Sequence, residues 1–317
     1  MSDSDLVLVT GGAGFIGSHL VDALLDAGRP VRVLDDFSTG LRQNLAGRSA
    51  DLIEGSLTDP GCVARAVDGV HTIFHLGALA SVARSVETPL VSHAACATGT
   101  LNVLDAARRS GVKRVIYAAS SSAYGGASGE NGQSEDTPIK ALSPYAAAKL
   151  SGELYCEAFA ATYGLETVRL RFFNIFGPRQ RSDSPYSGVI ALFVAAMTQG
   201  RRPTVHGDGL QSRDFTYVAN AVQALLRAAT APSHVSGRVY NVGTGNSVSI
   251  LQLIDALNSL LGTQLEPIFG PARPGDVRFS RADITRTRQD LGYEPQVTFI
   301  DGLKRTVEWY LSGAGVA

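Results

Sequence analysis

The first twenty residues contain the feature that most constrains the fold of this chain. An apolar run at residues 6–9 leads through a glycine-rich turn into a stretch with helical spacing. A buried parallel strand accounts for the apolar run. We expect Gly11 to permit the tight turn, Gly14 to let backbone amides approach a pyrophosphate, and Gly17 to let the helix pack closely on the strand. Phosphates would then lie at the positive N-terminus of that helix.

A second apolar run, at residues 31–34, ends in Asp35, 18 residues after Gly17. A carboxylate at this position can accept hydrogen bonds from the adenosine ribose hydroxyls and would repel a 2′-phosphate. The pattern therefore predicts NAD rather than NADP as the cofactor. The alternative is a structural glycine turn in an α/β protein that binds no nucleotide.

Composition narrows the class of protein. The 317 residues are 44% hydrophobic and 18% charged, which is typical of a folded globular chain. The net charge of −1 lacks the basic footprint of a nucleic-acid or anionic-membrane partner. We found neither a signal-peptide pattern nor an apolar stretch near the roughly 18 residues needed to span a membrane. These features predict a cytoplasmic protein without a nucleic-acid or membrane partner.

Cysteine and histidine spacing argues against a metal site. Cys62, Cys96 and Cys156 are far apart, which suits a reducing compartment better than a disulfide framework or a zinc site. His71 and His75 are four residues apart, but their segment has strand character, so they would lie roughly 13 Å from each other. We therefore predict core or loop histidines and no bound metal.

Strand-like and helical stretches alternate through the first half of the chain, which predicts a doubly wound parallel sheet with ligands at the carboxyl ends of its strands. This is a Rossmann α/β fold. After Asn174 the alternation of strand-like and helical stretches becomes less regular. We predict a cofactor-binding domain over residues 1–174 and a smaller α/β C-terminal substrate lobe over 175–317, with about 215–243 returning to the main sheet. The strand runs are 51–55, 71–76, 114–119 and 167–173, and the main helical stretches are 89–110 and 144–163.

The strongest catalytic signal is a tyrosine followed four residues later by a lysine. Ser143 and Pro144 are a suitable N-cap and first-turn residue for a helix that carries Tyr145 and Lys149 on one face. A phenol with a pKa near 10 is a weak base at neutral pH, and a nearby ammonium and a nicotinamide cation would lower that pKa. Tyr145 would then act as an acid/base between a hydroxyl and a carbonyl. Taken alone, this spacing also occurs on ordinary surface helices.

A serine cluster ends the strand at 114–119, where side chains face the cofactor crevice. Its members are Ser120, Ser121 and Ser122. The alternative is a serine-rich start of a loop.

Together these motifs resemble the extended short-chain dehydrogenase/reductase family, and most of all its UDP-hexose 4-epimerases. The resemblance runs from Thr10 to about Tyr310. It rests on TGGAGFIG at 10–17, LDDFSTG at 34–40, the serines before Tyr124 and Gly125, SPYAAAK at 143–149, RFFNIFGPR at 171–179, HGDGLQSRDF at 206–215 and RPGD at 273–276.

The resemblance implies a role for each matching residue. Ser120 would hydrogen-bond the sugar 4-hydroxyl, Tyr145 would remove its proton, and Lys149 would bind the nicotinamide ribose. The implied cofactor contacts are Gly11, Gly14, Phe15, Ile16, Gly17, Asp35, Asp36, Ser38, Thr39, Gly40, Ser56, Leu57, Leu76, Gly77, Ala78, Tyr145 and Lys149. Ser56 and Leu57 depart from the family's Gly-Asp-Ile pattern, so the adenine contact would be weaker or made by the serine hydroxyl.

The implied substrate is a UDP-sugar, held at its diphosphate by two arginines. The implied contacts are Ser121, Ser122, Asn174, Val189, Arg213, Arg273, Asp276 and Ser280. A serine at position 280, rather than the bulky tyrosine of a hexose-only pocket, suggests room for a 2-acetamido group or another enlarged sugar. In relatives, the helices corresponding to 89–110 and 144–163 form a homodimer, which we expect here because their alanine-rich faces permit close packing.

The resemblance predicts NAD-dependent C4 epimerisation of UDP-glucose and UDP-galactose, or of the N-acetylated pair, through a 4-keto sugar. A UDP-glucuronate 4-epimerase is the main alternative, because the Ser121 and Ser122 hydroxyls could bind a carboxylate. A 4,6-dehydratase would carry an Asp-Glu pair at these two positions, and a UDP-glucuronate decarboxylase typically carries a glutamate at the second. A non-catalytic NAD-binding protein is disfavoured by the complete set of Ser120, Tyr145 and Lys149.

Overall fold

The computed structural model describes residues 6–126, 132–183, 187–272 and 277–313. Strands and helices alternate through its first part. The elements are β1 Val7–Thr10, α1 Phe15–Asp26, β2 Val31–Asp35, β3 Asp51–Glu54, α2 Pro60–Val67, β4 Thr72–His75, α3 Val82–Glu87, α4 Pro89–His93, α5 Gly99–Arg109, β5 Arg114–Ser120, α6 Pro144–Tyr163 and β6 Glu166–Phe172. A π-helical turn, Ala94–Thr98, separates α4 from α5, so the predicted helix over 89–110 is interrupted.

The second part has shorter strands and less regular connections. Its elements are β7 Ile175–Phe176, α7 Val189–Met197, β8 Thr204–His206, β9 Ser212–Arg213, β10 Thr216–Tyr217, α8 Val218–Thr230, β11 Arg238–Val242, β12 Val248–Ser249, α9 Ile250–Leu261, β13 Ile268–Gly270, β14 Phe279–Ser280, α10 Thr285–Leu291 and α11 Phe299–Leu311.

Seven strands form one sheet in the order β11-β6-β5-β4-β1-β2-β3. Every neighbouring pair in it is parallel. The chain moves outward from β1 to β3, crosses back to β4 and then moves outward in the other direction. The strand order therefore reverses between β1 and β4, which is where doubly wound sheets bind their ligands. The prediction of a doubly wound parallel sheet is confirmed.

Helices cover both faces of this sheet because successive strand residues point to opposite sides. Val7 and Val9 of β1 pack with α1 and α8, whereas Leu8 packs with α2, α5 and α6. Both apolar layers are buried. The residues of the apolar run at the start of the chain therefore contribute to two hydrophobic cores, one on each face of the sheet.

A third apolar core lies in the C-terminal part, where α7, α9 and α11 meet around Phe176 and Phe215. Phe15 and Ile16, which begin α1, pack against this core. The start of the first helix therefore touches the C-terminal part directly. The division into domains at residue 174 stays a prediction, although β11 pairs with β6 in the main sheet.

The described ranges contain no helix with both the length and the apolarity that a membrane crossing requires. They also contain no group of three or more histidine, cysteine, aspartate or glutamate side chains arranged to hold a metal ion. Cys62, Cys96 and Cys156 are buried and form no disulfide.

Candidate active site

The glycine-rich turn forms a tight cradle before α1. Gly11 has a φ of +69°, and the amide of Gly14 donates to its carbonyl oxygen over 3.1 Å. A Cβ on Gly17 would lie 2.1 Å from the same oxygen. The helix begins at Phe15 without a side-chain cap and without an acidic residue in its first turn. This arrangement fits a pyrophosphate, because the backbone amides and the positive N-terminal end of the helix can both interact with an anion.

The crevice between β1 and β4 is built from two close glycine backbones. A Cβ on Gly11 would lie 2.8 Å from the Cα of Gly77, which follows β4. A Cβ on Gly77 would in turn lie 2.7 Å from the side chain of Leu57. Leu76 and Ala78 flank Gly77 and are partly exposed. A flat cofactor would fit between these elements where larger side chains would fill the space.

Asp35 ends β2 at the predicted adenosine position. Its two carboxylate oxygens accept the amides of Ala13 and Phe37, each over 2.9 Å. Burial raises the pKa of Asp35, and these two amide hydrogen bonds oppose the rise. A carboxylate has about four acceptor positions, so capacity remains for ribose hydroxyls. The carboxylate also orders the turn itself, a role that the sequence did not reveal.

The turn after Asp35 is a compact polar loop. Asp36 accepts hydrogen bonds from the backbone amide and the hydroxyl of Ser38. Phe37 adopts a φ of +55°, which is rare for a residue with a side chain. A Cβ on Gly40 would lie 2.9 Å from Oδ1 of Asp35, so a larger residue there would press on the carboxylate. Ser56, two residues after the end of β3, shares a hydrogen bond of 2.9 Å with the Thr58 hydroxyl.

Tyr145 and Ser120 come together from different elements. Ser143 caps α6 by accepting the amide of Ala146 over 3.1 Å, and Tyr145 lies in the first turn of that helix. Ser120 ends β5, and its hydroxyl interacts with the phenol of Tyr145 and lowers the pKa of that phenol. Ser122 donates its hydroxyl to Ser120 over 2.9 Å. The three hydroxyls thus form a row that leads to the phenol oxygen of Tyr145.

Burial is the largest influence on Tyr145 and raises its pKa, Cys96 adds to the rise, and the hydrogen bond from Ser120 lowers it. The expectation that the Lys149 ammonium would lower this pKa stays a prediction. Nζ of Lys149 lies 4.2 Å from the centre of the Tyr117 ring, and burial lowers the pKa of Lys149. Ser120 therefore opposes the effect of burial on the pKa of Tyr145, and the nicotinamide contribution stays a prediction.

His75, which the sequence predicted to be a core or loop histidine, is buried and links two parts of the site. Thr100 donates its hydroxyl to the Cys96 carbonyl over 2.6 Å, so it accepts from Nε2 of His75 over 2.9 Å. Nδ1 of His75 then accepts from the Thr10 hydroxyl over 2.7 Å. Thr10 in turn accepts the amide of Gly77 over 3.1 Å. Burial lowers the pKa of His75 to about 3, so the ring is neutral. This series of hydrogen bonds connects the phosphate loop to the π-helical turn.

Two further residues near Tyr145 gave no signal in the sequence. The Ser85 hydroxyl accepts the backbone amide of Tyr145 over 3.1 Å, which fixes the first turn of α6 from α3. Cys96, in the π-helical turn, packs with Ala148 and Tyr145. Both residues lie in a region that we interpreted only as helical packing.

The predicted substrate residues lie on the C-terminal part and the ends of β5 and β6. Arg213 on β9 is directly opposite Ser280 on β14, and Ser280 is buried. Asn174 is exposed after β6, and Val189 begins α7. Arg273 and Asp276 lie outside the described residues, so the predicted second arginine and the ribose contact stay predictions.

Asp214, next to Arg213, is another residue that the sequence reasoning missed. It is fully buried and accepts amides from Thr244 over 2.8 Å, Gly245 over 3.0 Å and Ala282 over 3.1 Å. Burial raises its pKa, and the hydrogen bonds from Thr244, Ala282 and Gly245 oppose the rise. Asp214 therefore ties β9 to the segments that precede β12 and follow β14, and so holds Arg213 in place.

Comparison with known proteins assigns the chain to a family. Residues 7–243 match the model of the NAD dependent epimerase/dehydratase family. A UDP-glucose 4-epimerase from Mycolicibacterium smegmatis is 39% identical over 312 residues, covering 96% of this chain and 97% of that protein. The UDP-glucose 4-epimerase of Thermotoga maritima, solved with UDP-glucose, has a TM-score of 0.93 and 38% identity, covering 98% and 99% of the two chains.

A UDP-N-acetylglucosamine 4-epimerase from Methanobrevibacter ruminantium, solved with UDP-N-acetylmuramic acid, has a TM-score of 0.92 and 37% identity, covering 98% of this chain and 99% of that one. Relatives with other reactions also align. A UDP-N-acetyl-α-D-glucosaminuronate decarboxylase from Bacillus cytotoxicus is 33% identical, and a dTDP-glucose 4,6-dehydratase from Streptomyces niveus is 34% identical, each over 96% of this chain and, respectively, 97% and 92% of the relative.

The predicted resemblance and the predicted cofactor are both confirmed, since the family is NAD-dependent and similar structures contain NAD. The glycine cradles and the buried Asp35 fit that cofactor. This chain belongs to the NAD-dependent epimerase/dehydratase family, and NAD is its cofactor.

Proposed function

We propose that this protein epimerises a UDP-hexose at C4, interconverting UDP-glucose and UDP-galactose or the N-acetylated pair through a 4-keto sugar. The row of hydroxyls on Ser122, Ser120 and Tyr145 carries the proposal. It ends on a phenol oxygen that can take a proton and give it back. Similarity to UDP-glucose and UDP-N-acetylglucosamine 4-epimerases supports the same reaction.

Each residue has a defined task in this scheme. When bound, NAD would supply reversible hydride transfer at C4 of the sugar. The phenol oxygen of Tyr145 takes the proton of the 4-hydroxyl and later donates it back. Ser120 donates a hydrogen bond to that phenol, which favours the phenolate. Lys149 would bind the nicotinamide ribose, and Arg213 would hold the substrate diphosphate while the planar sugar turns over.

The turn after β5 disfavours elimination or decarboxylation. Its residues, Ser121–Tyr124, form a 3₁₀ turn that carries no carboxylate. A 4,6-dehydratase needs a general acid to remove water from the sugar, and the positions where the resemblance would place it are Ser121 and Ser122. Hydroxyl groups at these two positions are poor proton donors, but they suit hydrogen bonding to the sugar.

Two groups of serines bear on which sugar the site accepts. Ser280 is small and lies beside Arg213 on the neighbouring strand, which supports a pocket able to take a 2-acetamido group. The Ser121 and Ser122 hydroxyls could also meet a C6 carboxylate. We therefore keep a UDP-glucuronate 4-epimerase as the second candidate.

Incubation of the purified protein with three nucleotide sugars tests the reaction. UDP-galactose, UDP-N-acetylgalactosamine and UDP-galacturonate are supplied separately without added cofactor, and C4 epimers are quantified by NMR. We expect conversion of the first, the second or both. Conversion of the galacturonate alone would favour the uronate reaction. No conversion of any of them, even with NAD⁺ supplied, would contradict the epimerase proposal.

We also propose that the protein is a homodimer. Apolar side chains are exposed along α3, α4 and α6, including Val86 at 66%, Leu90 at 82% and Leu154 at 64% exposure. These three helices pack together on one side of the sheet. A second copy that covers this face would bury side chains that otherwise contact water.

Charge placed on this face is expected to separate the subunits. We expect light scattering to give twice the chain mass for the wild type and one chain mass for a Leu90→Arg/Leu154→Arg variant, because buried arginines without partners oppose association. Leu311→Arg is the matched control, since Leu311 is also exposed but ends α11. A wild-type monomer, or a dimer that persists in the double variant, would refute this assembly.

A further inference from the structure

The catalytic helix carries a buried carboxylate that the reaction scheme does not use. Glu153 lies on α6 four residues after Lys149 and eight after Tyr145, so the three side chains share one helix face. Its side chain is 2% exposed and pairs with Arg171 of β6, which is 3% exposed. Glu153 Oε1 accepts from Nε over 3.0 Å, and Oε2 accepts from Nη2 over 2.7 Å.

Arg171 also contacts the segment that carries the catalytic serine. Its guanidinium lies 4.8 Å from the centre of the Tyr124 ring. Tyr124 ends the 3₁₀ turn that starts directly after Ser120. The Tyr124 hydroxyl donates to Oδ1 of Asn241, at the end of β11, over 2.6 Å. One guanidinium thus braces both the helix that carries Tyr145 and Lys149 and the turn that directly follows Ser120.

The carboxylate also lies close enough to influence Lys149 electrostatically. Burial lowers the pKa of Lys149, whereas Cys96, Cys156 and Glu153 raise it. A buried ammonium loses its proton unless nearby charge stabilises it. The groups that face Lys149 from the surrounding elements are His75 of β4, Tyr117 of β5, Cys96 of the π-helical turn, and Tyr145, Glu153 and Cys156 of α6.

We propose that the Glu153–Arg171 ion pair is a positioning pair for the catalytic groups. The pair fixes the positions of α6 and of the 3₁₀ turn Ser121–Tyr124 relative to the sheet. Its carboxylate keeps Lys149 charged. The proposal rests on the epimerase function for its kinetic consequences but not for its electrostatic one. A buried pair that only stabilised the fold would influence neither Lys149 nor the reaction rate selectively.

The first test measures the charge of Lys149 directly. The chain has only four lysines, Lys113, Lys140, Lys149 and Lys304, so the ¹³Cε signals of labelled holoenzyme can be assigned with single Lys→Arg variants. In Glu153→Gln we expect the pKa of Lys149 to fall by about one unit or more, because a helix-face carboxylate is lost. An unchanged titration of Lys149 would overturn the proposal.

A matched control separates this effect from a loss of stability. Glu166 and Arg114 form another ion pair, with a 2.6 Å contact, a buried arginine (4% exposed) and a partly buried glutamate (17% exposed), at the starts of β6 and β5. These strand starts lie at the edge of the sheet opposite the crevice. Glu166→Gln should lower Tm as Glu153→Gln does, yet leave the Lys149 titration and kcat unchanged.

Kinetics with a converted UDP-sugar provide the second test. We expect Glu153→Gln to lower kcat about tenfold or more with KM changed less than about threefold, because positioning acts on the reacting state. The high-pH limb of kcat should move to lower pH, since Lys149 loses its proton earlier. Equal kcat losses in Glu153→Gln and Glu166→Gln would overturn the positioning role.

Exchanging the two charges distinguishes the electrostatic effect of Glu153 on Lys149 from the structural link that the ion pair makes between α6 and β6. The variant Glu153→Arg/Arg171→Glu restores an attractive pair but places the positive charge on the helix. We expect it to recover Tm while the pKa of Lys149 stays low, and recovery of both would overturn the proposal. If it does not fold, the Glu153→Gln titration decides alone. If the wild type converts no sugar, the proposed function fails, but the Lys149 titration still tests the ion pair.

Discussion

Replacing Tyr145 by phenylalanine is expected to lower kcat by about 10³-fold, within the range that general acid–base groups contribute. The phenol oxygen is the atom that meets Ser120 at the end of β5. Phenylalanine keeps the aromatic ring that packs with Cys96 and Ala148. The helix and the cofactor site should therefore survive the change, while the proton acceptor is lost.

The measurement combines NMR detection of epimers with determination of bound NAD after denaturation. We expect the NAD content and Tm of Tyr145→Phe to equal those of the wild type. Tyr155→Phe, a half-exposed tyrosine on the same helix, is the control and should retain full activity. Activity of Tyr145→Phe within tenfold of the wild type would mean that another group takes the proton.

The pH dependence of the wild type should follow from the same phenol. Because burial raises the pKa of Tyr145, the phenolate is scarce at neutral pH and kcat should rise with pH. Ser120→Ala removes a hydrogen bond that lowers this pKa. Its rising limb should therefore lie at higher pH than that of the wild type, and a limb at unchanged pH would show that Ser120 does not tune the tyrosine.

Replacing Gly17 by alanine is expected to abolish NAD retention. The added Cβ would lie 2.1 Å from the carbonyl oxygen of Gly11 and 2.9 Å from the Cα of Gly12. Both atoms belong to the backbone of the phosphate loop, so no side-chain rotation relieves the contact. Overpacking of this kind costs about 1–3 kcal/mol of stability, and the loop must shift away from its anion-binding shape.

Bound NAD and Tm report this effect without an activity assay. Gly61→Ala is the control, since Gly61 also lies in the first turn of a helix, is exposed, and would place its Cβ no closer than 3.3 Å to a neighbour. That variant should retain NAD and keep or slightly increase Tm. A Gly17→Ala protein that still binds NAD stoichiometrically would rule out the tight contact between the turn and α1.

Local features of the chain were predictable because their signals lie within a few residues. The turn between β1 and α1, the acid that ends β2 and the capped start of α6 each combine hydrophobic periodicity with glycine or capping chemistry. The order of strands and helices then follows from the alternation of these elements. The catalytic assignments of Ser120, Tyr145 and Lys149 rest partly on family resemblance and stay predictions.

Other features depended on residues that are distant in sequence. His75 meets Thr10 across 65 positions and Thr100 across 25, and Ser85 meets the Tyr145 amide across 60. No periodic pattern encodes such contacts, because a histidine or serine at one position has no local signal of its partner. The π-helical turn was missed for the same reason, since its composition fits an ordinary helix.

The sequence by itself determined the cofactor class and the architecture, since a strand, a glycine turn, a helix and an acid-ended strand follow in order and leave few alternatives. Only the tertiary structure decided how the site is tuned. Burial raises the pKa of Tyr145, Ser120 opposes that rise, and Arg171 braces α6 through Glu153. The physical reason is that desolvation and ion pairing depend on which elements pack together, and linear order does not specify that.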